Sequence, residues 1–264
     1  MSDRDGHDHV EASRAPLLDH LVELRSRLVK AMAAYLLAFA IAYYFAPEIY
    51  QFLTQPLADA FSGEQGRRLI FTALHETFFT YIKVALFGAL CIAFPVIAGQ
   101  LWMFVAPGLY RDERLAFLPF LAATPILFLI GASLVYYFIM PLVTEFFLSF
   151  ETPGGNGALP IELEAKVSEY LSLVMTLIFA FGLAFQLPVL LILLGRVGLV
   201  TADSLVRHRK YAIVAAFAAA AILTPPDPVS QIGLGIPILL LYEISILGVR
   251  LIERRRAAAR ADLP

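Results

Sequence analysis

Two glutamates, Glu23 and Glu113, stand among arginines: Arg25 and Arg27 follow the first, and Arg111 and Arg114 flank the second. A carboxylate so placed has two uses. It can close a surface ion pair with its own neighbour, Glu23 with Arg27 one turn on and Glu113 with Arg111 or Arg114, worth under ~1 kcal/mol. It can also accept the planar fork of an incoming guanidinium through two charge-assisted hydrogen bonds, a geometry that lysine does not match. Three further polar side chains, Lys83, Gln186 and Glu243, lie within apolar runs. Such groups are costly in hydrocarbon and tend to face a partner, a wet cavity or an interface. Gln186 is the deepest of them, and an amide there also serves as a bond between two helices. Lys83 and Glu243 can snorkel to an interface or pair internally.

Bond-making chemistry finds no such support. His7, His9, His20, His75 and His208 are scattered, with no His-Glu-x-x-His pair, no Gly-x-Ser-x-Gly and no phosphate-cradling glycine loop. No enzymatic activity, cofactor or metal is expected. A formal net charge of -2 argues against broad nucleic-acid affinity. The single cysteine, Cys91, excludes an internal disulfide framework.

The elements that must carry these residues follow from composition. The chain is 59% hydrophobic and 16% charged with a mean hydropathy of +0.75, more apolar than one soluble core requires. In a bilayer every backbone group must be satisfied within its own segment, and these runs lack the alternation of barrel strands. The expectation is an all-α polytopic membrane protein with about six spans. Residues 1–16 are too polar to fold alone and read as a disordered cytosolic tail. Pro16 suits a first helical position, and Leu17, Leu21, Leu24 and Leu28 make an amphipathic lead-in with Glu23, Arg27 and Lys30 on its wet face. The first span is 31–46. A cleavable signal peptide is the weaker reading, because the apolar run continues through Tyr43, Tyr44 and Phe45.

Residues 47–76, with Pro47, Pro56, Gly63 and Gly66, read as an extramembrane loop. Later spans are expected at 77–105, at 115–150 as one long bent helix, at 167–194, at 211–223 and at 231–249. The fifth reaches only ~20 Å and the sixth is modest, so both are expected to be short and to thin the bilayer on one side. A single domain covers 17–250 and a basic cytosolic tail covers 251–264. Of the 20 Lys and Arg residues, 16 lie in segments 1–30, 107–115, 195–210 and 249–264, whereas Arg67, Arg68 and Lys166 lie in the opposite loops. The positive-inside rule then puts both termini in the cytosol, with an even number of spans.

Residues 20–28, HLVELRSRL, resemble the amino-terminal motif of the TatC family, the multispanning subunits of twin-arginine protein translocases. Residues 100–114, QLWMFVAPGLYRDER, resemble that family's first cytosolic loop, 181–188, FGLAFQLP, its fourth span, and 223–227, LTPPD, with Ser230 and Gln231, its last periplasmic turn. The motifs stand in register from residue 17 to residue 250. The resemblance implies a bacterial inner-membrane receptor for signal peptides bearing paired arginines. It would work in several copies with the single-span proteins TatA and TatB, moving folded proteins outward on the proton-motive force. Carried over by motif, Glu23 and Glu113 receive the two arginines, and Arg25 and Phe104 shape the site. The signal's apolar segment would lie along a concave, lipid-facing surface that position 186 faces. Family members often have glutamate there, and Gln186 keeps hydrogen bonding without the charge. Pro56 and Asp227 match periplasmic positions the family uses, while Asp227 reads equally as the cap of a turn after Pro225 and Pro226. The last two spans are where the family docks its partners.

The rival reading from another class is a secondary transporter for a small solute. Such proteins commonly show related halves with interrupted helices at the midplane. No convincing internal repeat is present, and Gln186 alone is clearly polar at mid-span.

Overall fold

The computed structural model describes residues 4–61, 67–105, 114–155, 159–224 and 227–261. Its helices are α1 (Arg4–Tyr44), α2 (Ala46–Ala60), α3 (Glu76–Val105), α4 (Arg114–Leu134), α5 (Met140–Leu148), α6 (Val167–Ala184), α7 (Leu187–Val197), α8 (Ala202–Arg207), α9 (Arg209–Leu223) and α10 (Pro228–Ala261). Among the described residues there is no strand, only the isolated bridges Ile70 to Lys166 and Thr152 to Ile161. Among the described residues, five stretches are long and apolar enough to cross a membrane: His20–Tyr44, Glu76–Phe104, Pro119–Leu148, Val167–Val197 and Pro228–Ala258. The protein is therefore an all-α polytopic membrane protein. Helix α9, with 15 residues, extends only ~22 Å against a ~30 Å hydrocarbon core.

Three expectations change. Helical backbone begins at Arg4, within the segment read as a tail. Residues 47–60, part of the segment read as loop, belong to helix α2, which carries Pro47 in its first turn and Pro56 in its interior. A proline removes the hydrogen bond to the carbonyl four residues before it. For Pro56 that carbonyl belongs to Phe52, and the Tyr136 hydroxyl donates to it at 2.9 Å while the two rings stack at 4.3 Å. The helix survives because a distant side chain supplies the missing donor. The sixth span is not short: α10 has 34 residues and runs past its apolar part into the basic tail.

Prolines shape the other spans similarly. Between α4 and α5 the chain takes one π turn, Val135–Ile139, in which Met140 N–H bonds Val135 O just before Pro141. A π turn accommodates such a residue inside a continuous helix without leaving backbone groups bare to lipid. The core forms around α6, whose Leu171, Val174, Leu177 and Phe181 are fully buried against Leu53, Val84, Met140 and Val143. Helix α1 leans on α3 through alanines, Ala38 and Ala42 against Ala89 and Ala93. Its apolar stretch is only 11% buried, which places α1 at the edge of the bundle.

Candidate functional site

At one end of the bundle α1 enters and α3 finishes. The His20 ring stacks on Phe104 at 4.3 Å and 17°, so the HLVELRSRL segment lies against the last turn of α3. One turn on, Glu23 is joined to Arg27: Nε donates to Oε1 at 2.9 Å, and Nη2 donates to the same oxygen. The structure thus realises the local ion pair, with the Glu23 side chain still 36% exposed. Arg25 is exposed beside it. Glu113 lies outside the described residues, in the segment that continues from α3. His20 was legible only as part of a motif; its ring contact is what links the two segments.

Deeper in the bundle is a recess of about 590 Å³, lined mostly by apolar side chains with Trp102, Thr124 and Gln186 among them. Leu101 at 56%, Leu183 at 46% and Leu190 at 38% exposure border it, so it opens sideways onto an apolar surface. Gln186 sits at the joint between α6 and α7, two residues before Pro188. There the helical ladder shortens: Gln186 N–H bonds Leu183 O, leaving the Gly182 carbonyl without its regular donor. The Gln186 side chain supplies it, Nε2 donating to Gly182 O at 3.2 Å and across to Thr124 O on α4 at 3.1 Å. The Thr124 hydroxyl in turn accepts from Trp102 Nε1 on α3 at 3.1 Å. A polar chain therefore joins α3, α4 and α6 at membrane depth. Close approach of α4 and α6 depends on glycine, since a Cβ on Gly182 would overlap the Phe128 ring. The other polar groups within apolar runs divide: Glu243 takes Arg209 Nη2 at 2.6 Å, and Lys83 is exposed on α3.

The opposite end is fastened by ion pairs that sequence reasoning did not single out. The carboxylate of Glu76 accepts from Ser168 Oγ at 2.7 Å and Thr72 N at 2.9 Å, with Lys166 Nζ at 3.8 Å. Arg67 forks onto Glu151 through Nη1 and Nη2, both at 2.5 Å, and Leu163 N–H adds a third bond at 2.7 Å. The Arg67 guanidinium, then that N–H, hold the Glu151 carboxyl down at about 2. Asp227 is buried and caps α10, Oδ1 accepting from Ser230 N at 2.7 Å. Pro225 and Pro226 lie outside the described residues. Pro56 packs inside α2, away from the recess.

Fold and recess together define a polytopic helical membrane protein that presents a lateral apolar surface with a polar joint, next to a charged helical end. Its sequence matches the Sec-independent protein translocase protein (TatC) family over residues 19–237. It is 51% identical to the TatC protein of Magnetococcus marinus, over 94% of this chain and 89% of that one. Against the TatC protein of Rickettsia prowazekii it is 48% identical, over 90% and 94%. A crystal structure of the twin-arginine translocase receptor TatC superposes with a TM-score of 0.75 at 38% identity, covering 89% of this chain and 99% of that one. The chain belongs to the TatC family of Sec-independent protein translocase proteins.

Proposed function

We propose that this chain is the receptor subunit of a twin-arginine translocase in a bacterial inner membrane, with both termini in the cytosol. It acts with TatA and TatB rather than as an enzyme, and passes folded proteins outward on the proton-motive force. The observation that carries the reading is the contact of His20 with Phe104, which brings the segment bearing Glu23 and Arg25 beside the root of the segment bearing Glu113. Glu23 at this end of the bundle, with Glu113 eight residues along the chain from Val105, suits two adjacent guanidinium groups. Glu23 is held by Arg27 in a half-buried i,i+4 pair, a spacing worth ~0.3–0.5 kcal/mol on a helix. A hydrogen bond to a charged group is worth ~1.5–3 kcal/mol, so an incoming arginine fork can displace that pair. The apolar part of the peptide then lies along the recess that Gln186 lines.

The test is binding of a fluorescent paired-arginine signal peptide to the purified protein in nanodiscs. Glu113→Ala should weaken binding by at least about tenfold, the loss of one charge-assisted pair. Glu23→Ala should weaken it less, since Arg27 already competes for that carboxylate. Equal affinity of both variants and the parent would remove the carboxylates from the site. Substrate-dependent counterflow of a small solute by this chain alone in proteoliposomes would favour a transporter instead.

A further inference from the structure

We propose that the end of the bundle formed by α9 and the tail of α10 binds the headgroup of an anionic phospholipid, whose acyl chains lie along the exposed face of α10. At ~100° per residue, Leu240, Ile244, Leu247 and Leu251 share one stripe of α10. They are 60%, 53%, 62% and 53% exposed, a continuous apolar face left open by the described residues. From Leu240 to Leu251 the helix rises ~16 Å, about half of a ~30 Å hydrocarbon core and so one leaflet deep. Immediately beside that stripe runs a second one, Glu243, Arg250 and Arg254, at spacings of seven and four. The charged end of the second stripe therefore stands at headgroup depth over the apolar face of the first.

Neighbouring elements add cations along the stretch of α10 from Glu243 to Arg254, a rise of ~16 Å. Arg209 reaches Glu243 at 2.6 Å, fixing the start of α9 to this side of α10. Tyr242 OH donates to Leu205 O at 2.8 Å, Glu253 accepts from Ala202 N at 3.0 Å, and Arg256 donates to Arg196 O, so α8 and its flanking turns are pinned to α10. Arg207, Lys210, Arg250, Arg254 and Arg255 are all exposed here. The nearby acids are Asp203, Glu243 and Glu253, of which Glu243 is engaged by Arg209 and Glu253 by the Ala202 N–H. Positive charge is in excess, and guanidinium forks suit phosphate oxygens. A basic cluster just beyond an apolar span is the pattern that recognises anionic lipid. The apolar stripe favours a phospholipid over free phosphate or an acidic peptide, because only the lipid uses both stripes.

The experiment is native mass spectrometry of the full chain released from detergent, with phosphatidylglycerol or phosphatidylcholine added at equal concentration. Phosphatidylglycerol should be retained at least about tenfold better. The double variant R250Q/R254Q should weaken it about 25-fold, roughly fivefold per arginine removed. R250K/R254K should keep most of the binding, K83Q should change nothing, and millimolar inorganic phosphate should not compete. Thermal unfolding in phosphatidylcholine should match the parent for each variant. Equal retention of the two lipids, unchanged binding in R250Q/R254Q, or displacement of the lipid by phosphate would overturn the proposal. Displacement by an acidic peptide would give the surface to a protein partner and overturn it too. If R250Q/R254Q unfolds, the lipid selectivity of the parent and of R250K/R254K decides.

Discussion

The amide of Gln186 donates to two carbonyl oxygens, Gly182 O and Thr124 O, and an ionised carboxylate cannot donate to either. Glutamine at this position is therefore a helix repair. Gln186→Leu should lower stability by ~1–3 kcal/mol, the cost of leaving buried carbonyls unmet, and should leave signal binding intact while impairing export. Unfolding in detergent and an export assay check this, and normal export by the variant would reduce Gln186 to a packing residue. Glu151 makes stability depend on pH. Arg67 and the Leu163 N–H lower its carboxyl from the ordinary 4.5 to about 2. Its contribution is present above about pH 4.5 and is lost as pH falls towards 2. Melting temperatures measured across that window should fall for the parent and change less for Glu151→Gln.

Among the elements, α10 starts on Asp227, whose Oδ1 takes the Ser230 N–H. Asp227→Ala should cost ~1 kcal/mol of stability, as removal of an N-cap does, and Asp227→Asn should restore it. If Asn restores stability without restoring export, the second carboxylate oxygen has a role beyond the cap. Thermal unfolding and export measured on both variants separate the two. Of the spans expected to be short, α9 alone is, and we propose that the bilayer thins on its side of the molecule. The sequence conveyed where the apolar runs lie, because each must close its own hydrogen bonds in lipid. It did not convey α2, because Pro56 is a helix breaker by any local measure and its remedy, Tyr136, comes 80 residues later. Nor did it convey the joint at Gln186, where Pro188 marks a kink but not which carbonyl is freed.

For the whole molecule, the family was legible without coordinates from its motifs. The fastening of the two ends was not. Glu76 with Ser168 and Arg67 with Glu151 join residues 92 and 84 positions apart, and such pairings leave no periodic trace in sequence. Of the candidate site, the structure brings the Glu23 helix to Phe104 and puts Gln186 on the recess, while Asp227 caps α10 and Pro56 lies inside α2. One end of this bundle is proposed to read paired arginines. The most direct test is photo-crosslinking in native membranes with a signal peptide carrying the reactive group beside its two arginines, compared with the same peptide carrying two lysines. Receptor function predicts strong crosslinks to residues 20–28 and 104–114 that fall sharply with lysine; equal crosslinking by both peptides, or none in correctly inserted protein, would contradict it.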